Sequence, residues 1–218
     1  MKTAHLAALT LALLAPVAGC TSAAIYTREL FGQEKREQLV SNVEQAREEQ
    51  QEAKESFASA LDELLSISSG NATTQELESQ YRRIQSAYDR SEAKAKAVRS
   101  RIDRVQAVAD RLFDEWESEL EEYENQSLRG QSQVQLAATK QRYEQLIAAM
   151  RRAAARMDPV LTAFKDQTLF LKHNLNAQAI ASLETDLEEI RVDVSSLIEE
   201  MEAAIAEADT FIESIRGG

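Results

Sequence analysis

The sequence predicts an all-α fold, an elongated antiparallel four-helix bundle with coiled-coil-like seams, on three observations. Chain breakers are scarce: 218 residues hold 6 glycines and 2 prolines, so helices run long before anything stops them. Ala, Glu, Gln, Arg and Leu dominate the composition, as they do in long helices and coiled coils. Apolar residues recur at alternating steps of three and four over four successive stretches, which is the period of a helix seam and not of a strand.

Helix one is expected over residues 25–68. Its seam runs Leu39, Val43, Ala46, Gln50, Ala53, Phe57, Ala60, Leu64, Ile67, with Gln50 as the one polar member. Ser68-Ser69-Gly70-Asn71 then breaks the pattern, and Gly70 or Asn71 suits the left-handed conformation that closes a helix. Thr73 and Glu76 form a capping box that opens helix two, expected over 74–127. That helix carries the most regular stripe of the chain, Leu77, Tyr81, Ile84, Tyr88, Ser91, Ala95, Val98, Ile102, Val105, Ala109, Leu112, Trp116. Gly130 is expected to end this region and Ser132 with Gln135 to recap it, so helix three is placed at 133–174. Tyr143, Leu146, Met150, Ala153, Met157, Val160, Phe164 and Leu171 form its seam. The phase survives Asp158-Pro159, which predicts a kink or tight restart capped by Asp158 and not a domain boundary. Asn174 is expected to close helix three and Asn176 to cap helix four, placed at 177–216 with the seam Ile180, Leu183, Leu187, Ile190, Val194, Leu197, Met201, Ala204, Ala208, Phe211, Ile215. Short turns make successive helices antiparallel, and residues 25–218 read as one domain.

Charge bears on partners. With 25 Lys+Arg against 37 Asp+Glu the formal net charge is −12, the wrong sign for a phosphate polymer, so no nucleic-acid partner is expected. Helices one and four are acidic, whereas the middle of helix two and helix three are basic. Acidic helices thus flank basic ones, and flanking ion pairs can select neighbours and register, each exposed pair being worth less than about 1 kcal/mol. Closure within one chain or exchange between two copies is open, so a homo-oligomer is a possible partner.

Ahead of the helices, Met1-Lys2-Thr3 precedes an apolar run from Leu6 to Ala15 and then Val17-Ala18-Gly19-Cys20, which holds the single cysteine. The run is too short to span a bilayer, which takes roughly 20 residues, and has the layout of a secretory signal. It resembles the lipobox of bacterial lipoproteins. The resemblance implies removal of residues 1–19, lipidation of Cys20 and a tether over residues 20–24. Thr21, in place of an aspartate, implies sorting to the outer membrane, facing the periplasm. Membrane attachment would then rest on the acyl chains and not on charge. With Cys20 consumed no thiol remains for disulfides.

The chemical inventory is thin. His5 belongs to the signal segment, leaving His173 in the last turn of helix three, where an imidazolium favours the negative helix end. No Glu-x-x-His pair and no phosphate-cradling glycine loop is present, so no catalytic residue, cofactor or metal is expected. Two features remain as interaction candidates. Asp114, Glu115, Glu117 and Glu119 belong to an acid-rich run through Glu124 at the carboxyl end of helix two, where the dipole disfavours negative charge. Arg28, Lys35 and Arg36 of helix one are the expected intramolecular counter-charges. Aromatic residues, Phe31 and Trp116 among them, fall at the same end; a plug of the bundle base is their first reading and a docking patch their second.

Gly32-Gln33-Glu34-Lys35-Arg36 through Leu39-Val40, Val43, Ala46-Arg47, Gln50, Ala53-Lys54, Phe57 and Ala60-Leu61, together with Met157-Asp158-Pro159-Val160-Leu161 to Phe164 and Leu169 through Ala177, resemble an uncharacterised domain-of-unknown-function family of proteobacterial helical lipoproteins. The resemblance implies a helical envelope lipoprotein and supplies no activity. The expected function is accordingly a non-enzymatic, lipid-anchored periplasmic scaffold that touches other envelope proteins; a hydrophobic-ligand or lipid carrier whose bundle opens is the alternative, and a membrane-remodelling bundle a more distant one.

Overall fold

The computed structural model describes residues 20–67, 73–175 and 184–217, with side chains described from Glu34 in the first helix and from Asp186 in the last. These residues form α1 (Cys20–Leu65), α2 (Thr74–Leu120), α3 (Gln126–His173) and α4 (Glu184–Arg216), and none of the described residues is in a strand. The signal segment 1–19, the turn around Gly70 and Asn71, and Asn176, Ile180 and Leu183 lie outside the described residues.

The four helices form a closed ring in which α1 packs on α2 and α4, and α3 packs on α2 and α4. Ladders of polar contacts fix every neighbour as antiparallel, because one partner's number falls as the other's rises. Between α1 and α2 the rungs are Lys35 with Glu115, Gln45 with Arg101, Glu52 with Lys94, and Glu63 with Arg83. Between α2 and α3 they are Glu117 with Lys140, Gln106 with Arg151, and Arg99 with Asp158. Arg47 with Asp209 and Lys54 with Glu202 join α1 to α4, and Arg152 with Glu200 and Gln167 with Asp186 join α3 to α4. Acidic helices thus meet basic ones within the two hairpins, and individual ion pairs also cross the edge between the two acidic helices, α1 and α4, and that between the two basic ones, α2 and α3.

The seams are the core. Every α1 seam residue from Leu39 to Ile67 is buried, as are the expected α3 residues from Tyr143 to Leu171. In α4 the buried run is Ile190 to Phe211, with Leu187 and Ile215 half-buried at its ends. Tyr81 and Tyr88 in α2 stay half-buried, because their hydroxyls turn outward to Gln85 at 3.3 Å and Glu92 at 3.1 Å; Ala87 is buried in their company. Phe57 of α1 and Phe164 of α3 stack across the diagonal with centroids 6.2 Å apart. Ser91 reaches across to Ser56, hydroxyl to hydroxyl at 3.1 Å. Gln50 is fully buried, and neither its amide oxygen nor its nitrogen has a hydrogen-bond partner.

Several boundaries differ from expectation. Residues 20–24, expected as a tether, are helical and continuous with the rest of α1, because neither glycine nor proline stands between Cys20 and Phe31. α2 ends at Leu120, not at 127, in a tightened turn where Glu121 N–H reaches the Ser118 carbonyl at 3.2 Å and Glu122 N–H that of Glu119 at 3.1 Å. Repulsion between the clustered carboxylates and the negative helix end accounts for this early stop. α3 starts at Gln126 instead of 133, because Asn125 Oδ1 accepts from the backbone N–H groups of Ser127 at 2.9 Å and Leu128 at 3.3 Å, supplying the cap that orphan amides require. Gly130 is therefore interior to α3, exposed, and Ser132 caps nothing. Pro159 likewise lies inside an unbroken helix, and Asp158 is an interior residue paired with Arg99, not a cap. Pro159 is exposed, so the carbonyl that loses its amide partner faces water.

Candidate functional site

The end of the bundle where α2 turns into α3 gathers most of the sequence's candidates. Trp116 ends the α2 seam and is 8% exposed. Its indole N–H donates to Ser132 Oγ of α3 at 2.8 Å, which is the task Ser132 performs in place of capping. The Arg36 guanidinium of α1 lies over the indole ring, 4.4 Å from its centroid, within the range of a cation–π contact. Stepping back three residues from Leu39 puts Arg36 on the seam itself, so an arginine stands where the repeat would place an apolar side chain.

The acid-rich run is partly neutralised within the molecule. Lys35 of α1 pairs with Glu115, and Lys140 of α3 pairs with Glu117 at 2.5 Å. Lys140 also sits 5.4 Å from the centroid of the Phe113 ring, which meets Tyr143 edge-on at 5.4 Å. Asp114 is exposed and Glu119 half-buried. Burial, with the Asp110 carboxylate adding to it, pushes the Tyr143 hydroxyl up to about 12 against the opposing effect of Arg151. That proton stays in place at neutral pH, and the Tyr143 ring packs in the core at 8% exposure.

Lys35 is thus the counter-charge that helix one was expected to supply, while Arg36 stacks on the indole instead of pairing. The side chains of Arg28 and Phe31 lie outside those described, as does that of Cys20, the first residue of α1. His173 is in the last turn of α3 beside Lys172 and exposed, at the far end of the bundle; it takes no part in the Trp116 cluster. Among the described residues no group of three or more His, Cys, Asp or Glu side chains is arranged to hold a metal ion. No described helix is long and apolar enough to cross a membrane.

What the sequence did not reveal is a groove of about 450 Å³ beside Trp116. Arg36 and Trp116 form one side, Gln135, Thr139 and Arg142 of α3 another, and Glu213, Ser214 and Ile215 of α4 the third. Its origin is a difference in helix length. α4 ends at Arg216, which pairs with Glu44 at 2.7 Å, whereas α1 continues past Arg36 and α2 and α3 run on to their turn, leaving one corner of the ring open. Arg36's place on the seam was the only sign of it in the sequence.

The fold and this end-on groove define a long antiparallel four-helix bundle with a small polar site at one end. The family model of DUF2959, described as a protein of unknown function, matches residues 25–215, and the chain belongs to that family. No curated protein matches the sequence.

Proposed function

We propose that this protein is a non-enzymatic scaffold or interaction module, held by acyl chains on Cys20 at the periplasmic face of the outer membrane and acting through contact with other envelope proteins. The lipobox-like Val17-Ala18-Gly19-Cys20 supports the anchor. The observation that carries the reading is the filled shaft: Leu39, Val43, Phe57, Leu64, Leu146, Met150, Met157, Leu197, Met201 and Phe211 are each at most 1% exposed, so the described core is closely packed along the shaft and what the molecule offers there is its surface. Helices of 46 to 48 residues make that surface about 70 Å long at 1.5 Å per residue, a reach suited to bridging. Val134 and Val192, 71% and 61% exposed, are positions on the shaft where a photo-crosslinking side chain leaves the core intact. Introduced there and irradiated in cells at native expression, such probes are expected to trap discrete, reproducible envelope partners. Recovery of the free monomer alone would contradict the reading.

A further inference from the structure

The groove beside Trp116 carries an unusual charge pattern for so acidic a chain. Arg36, Arg142 and Glu213 all line it, and none of the three has an ion-pair partner among the described residues. Arg36 of α1 and Arg142 of α3 line the same groove, so two guanidiniums from different helices offer it forked donors suited to an anion. The third wall has the opposite character. Glu213 lies in the last turn of α4, and the groove is lined there by Ser214, Ile215 and Gly217, where the helix presents its negative end. A bare anion would meet repulsion on that side, and a bare cation on the other. Thr139 and Ser214 add hydroxyls, Trp116 and Ile215 an apolar floor, and a volume of about 450 Å³ is at the small end of ligand sites.

The geometry points to a binding site for a zwitterionic phosphate ester, its phosphate on Arg36 and Arg142 and its ammonium beside Glu213 and the carboxyl end of α4. A phosphoethanolamine group has this chemistry, either as a lipid headgroup or as a free soluble ester. The site goes beyond the scaffold reading, whose crosslinked partners would persist whether or not the groove is occupied.

Trp116 is the only tryptophan in the sequence and lines the groove, so its emission reports occupancy directly. The full chain in a phosphate-free detergent is titrated with glycerophosphoethanolamine and with inorganic phosphate, and separately mixed with phosphatidylglycerol vesicles with or without phosphatidylethanolamine. A saturable change is expected with glycerophosphoethanolamine, which assigns a soluble ester as sufficient, or only with the vesicles that contain phosphatidylethanolamine, which assigns the lipid. Arg142→Gln, at an exposed position that leaves the core untouched, should weaken binding about tenfold or more, the value of one charge-assisted hydrogen bond. Glu213→Gln should weaken binding of the zwitterion and leave inorganic phosphate unaffected. The proposal is overturned by no response to either source, by an undiminished response in Arg142→Gln with unchanged helical circular dichroism, or by equal binding of phosphate and zwitterion that Glu213→Gln does not alter.

Discussion

Gln50 shows how much a single side chain can be asked to tolerate. It occupies a seam position of α1, fully buried, with both polar atoms unpartnered, and a buried unsatisfied group costs about 1–3 kcal/mol. Gln50→Met keeps the shape and removes the polarity, so it should raise unfolding stability by about 1–3 kcal/mol in urea titrations; a loss of stability would mean that the amide is satisfied. A polar residue on a seam is also a known device for holding register, which gives the cost a purpose. Gly130 offers a second residue-scale test. It is exposed inside α3, and a Cβ added there meets nothing within 4 Å, so Gly130→Ala should stabilise by roughly 0.5–1 kcal/mol, again read by denaturant midpoint. Gln50's oddity was legible from the spacing alone. The groove's Arg142 and Glu213 were not, because nothing in their local sequence says where α4 ends relative to α3.

At the level of the element, ends are where local chemistry decides. The capping box at the start of α2 forms as expected: Thr73 Oγ1 accepts from the Glu76 N–H at 3.3 Å, and the Glu76 carboxylate accepts from the Thr73 N–H at 2.6 Å. The Thr73 backbone bond first, and its hydroxyl second, hold the Glu76 carboxyl below the usual glutamate value. A depressed carboxyl contributes stability that is fully present above the unfolded-state value and is lost as pH falls through the folded one. Glu76→Gln should therefore flatten that part of the acid limb of a stability-against-pH curve, while Thr73→Ala should cost about 1 kcal/mol at neutral pH. The start of α3 shows why boundaries resisted sequence reasoning. Gly130 has the look of a breaker and Ser132 that of a cap, yet Asn125 upstream satisfies two amides, and a helix once capped runs through an exposed glycine at a cost of only about 1 kcal/mol. Pro159, read as a kink or a tight restart, is interior to α3 for a related reason. Whether an interior proline breaks a helix depends on which face carries it, and here the face is wet.

Across the whole molecule, the seams made the architecture readable, because a strict alternation of three and four admits one buried stripe per helix and four such stripes close into a bundle. Phe57 and Phe164 join α1 to α3 through the centre, so they test that closure. Each truncation to alanine should cost about 3–5 kcal/mol, and the double variant should fall short of the sum by about 0.5–3 kcal/mol, measured as unfolding free energies in a double-mutant cycle; full additivity would place the rings apart. Function was less legible than fold, since a packed shaft with ion-paired edges does not say what touches it. The acyl anchor proposed at Cys20 is what would make a helical rod an envelope scaffold. Intact mass spectrometry of the protein extracted from its own membranes tests it most directly. The expected mass is that of a chain beginning at Cys20 and carrying acyl groups on that residue, and recovery of an unmodified Cys20, with or without residues 1–19, would contradict it.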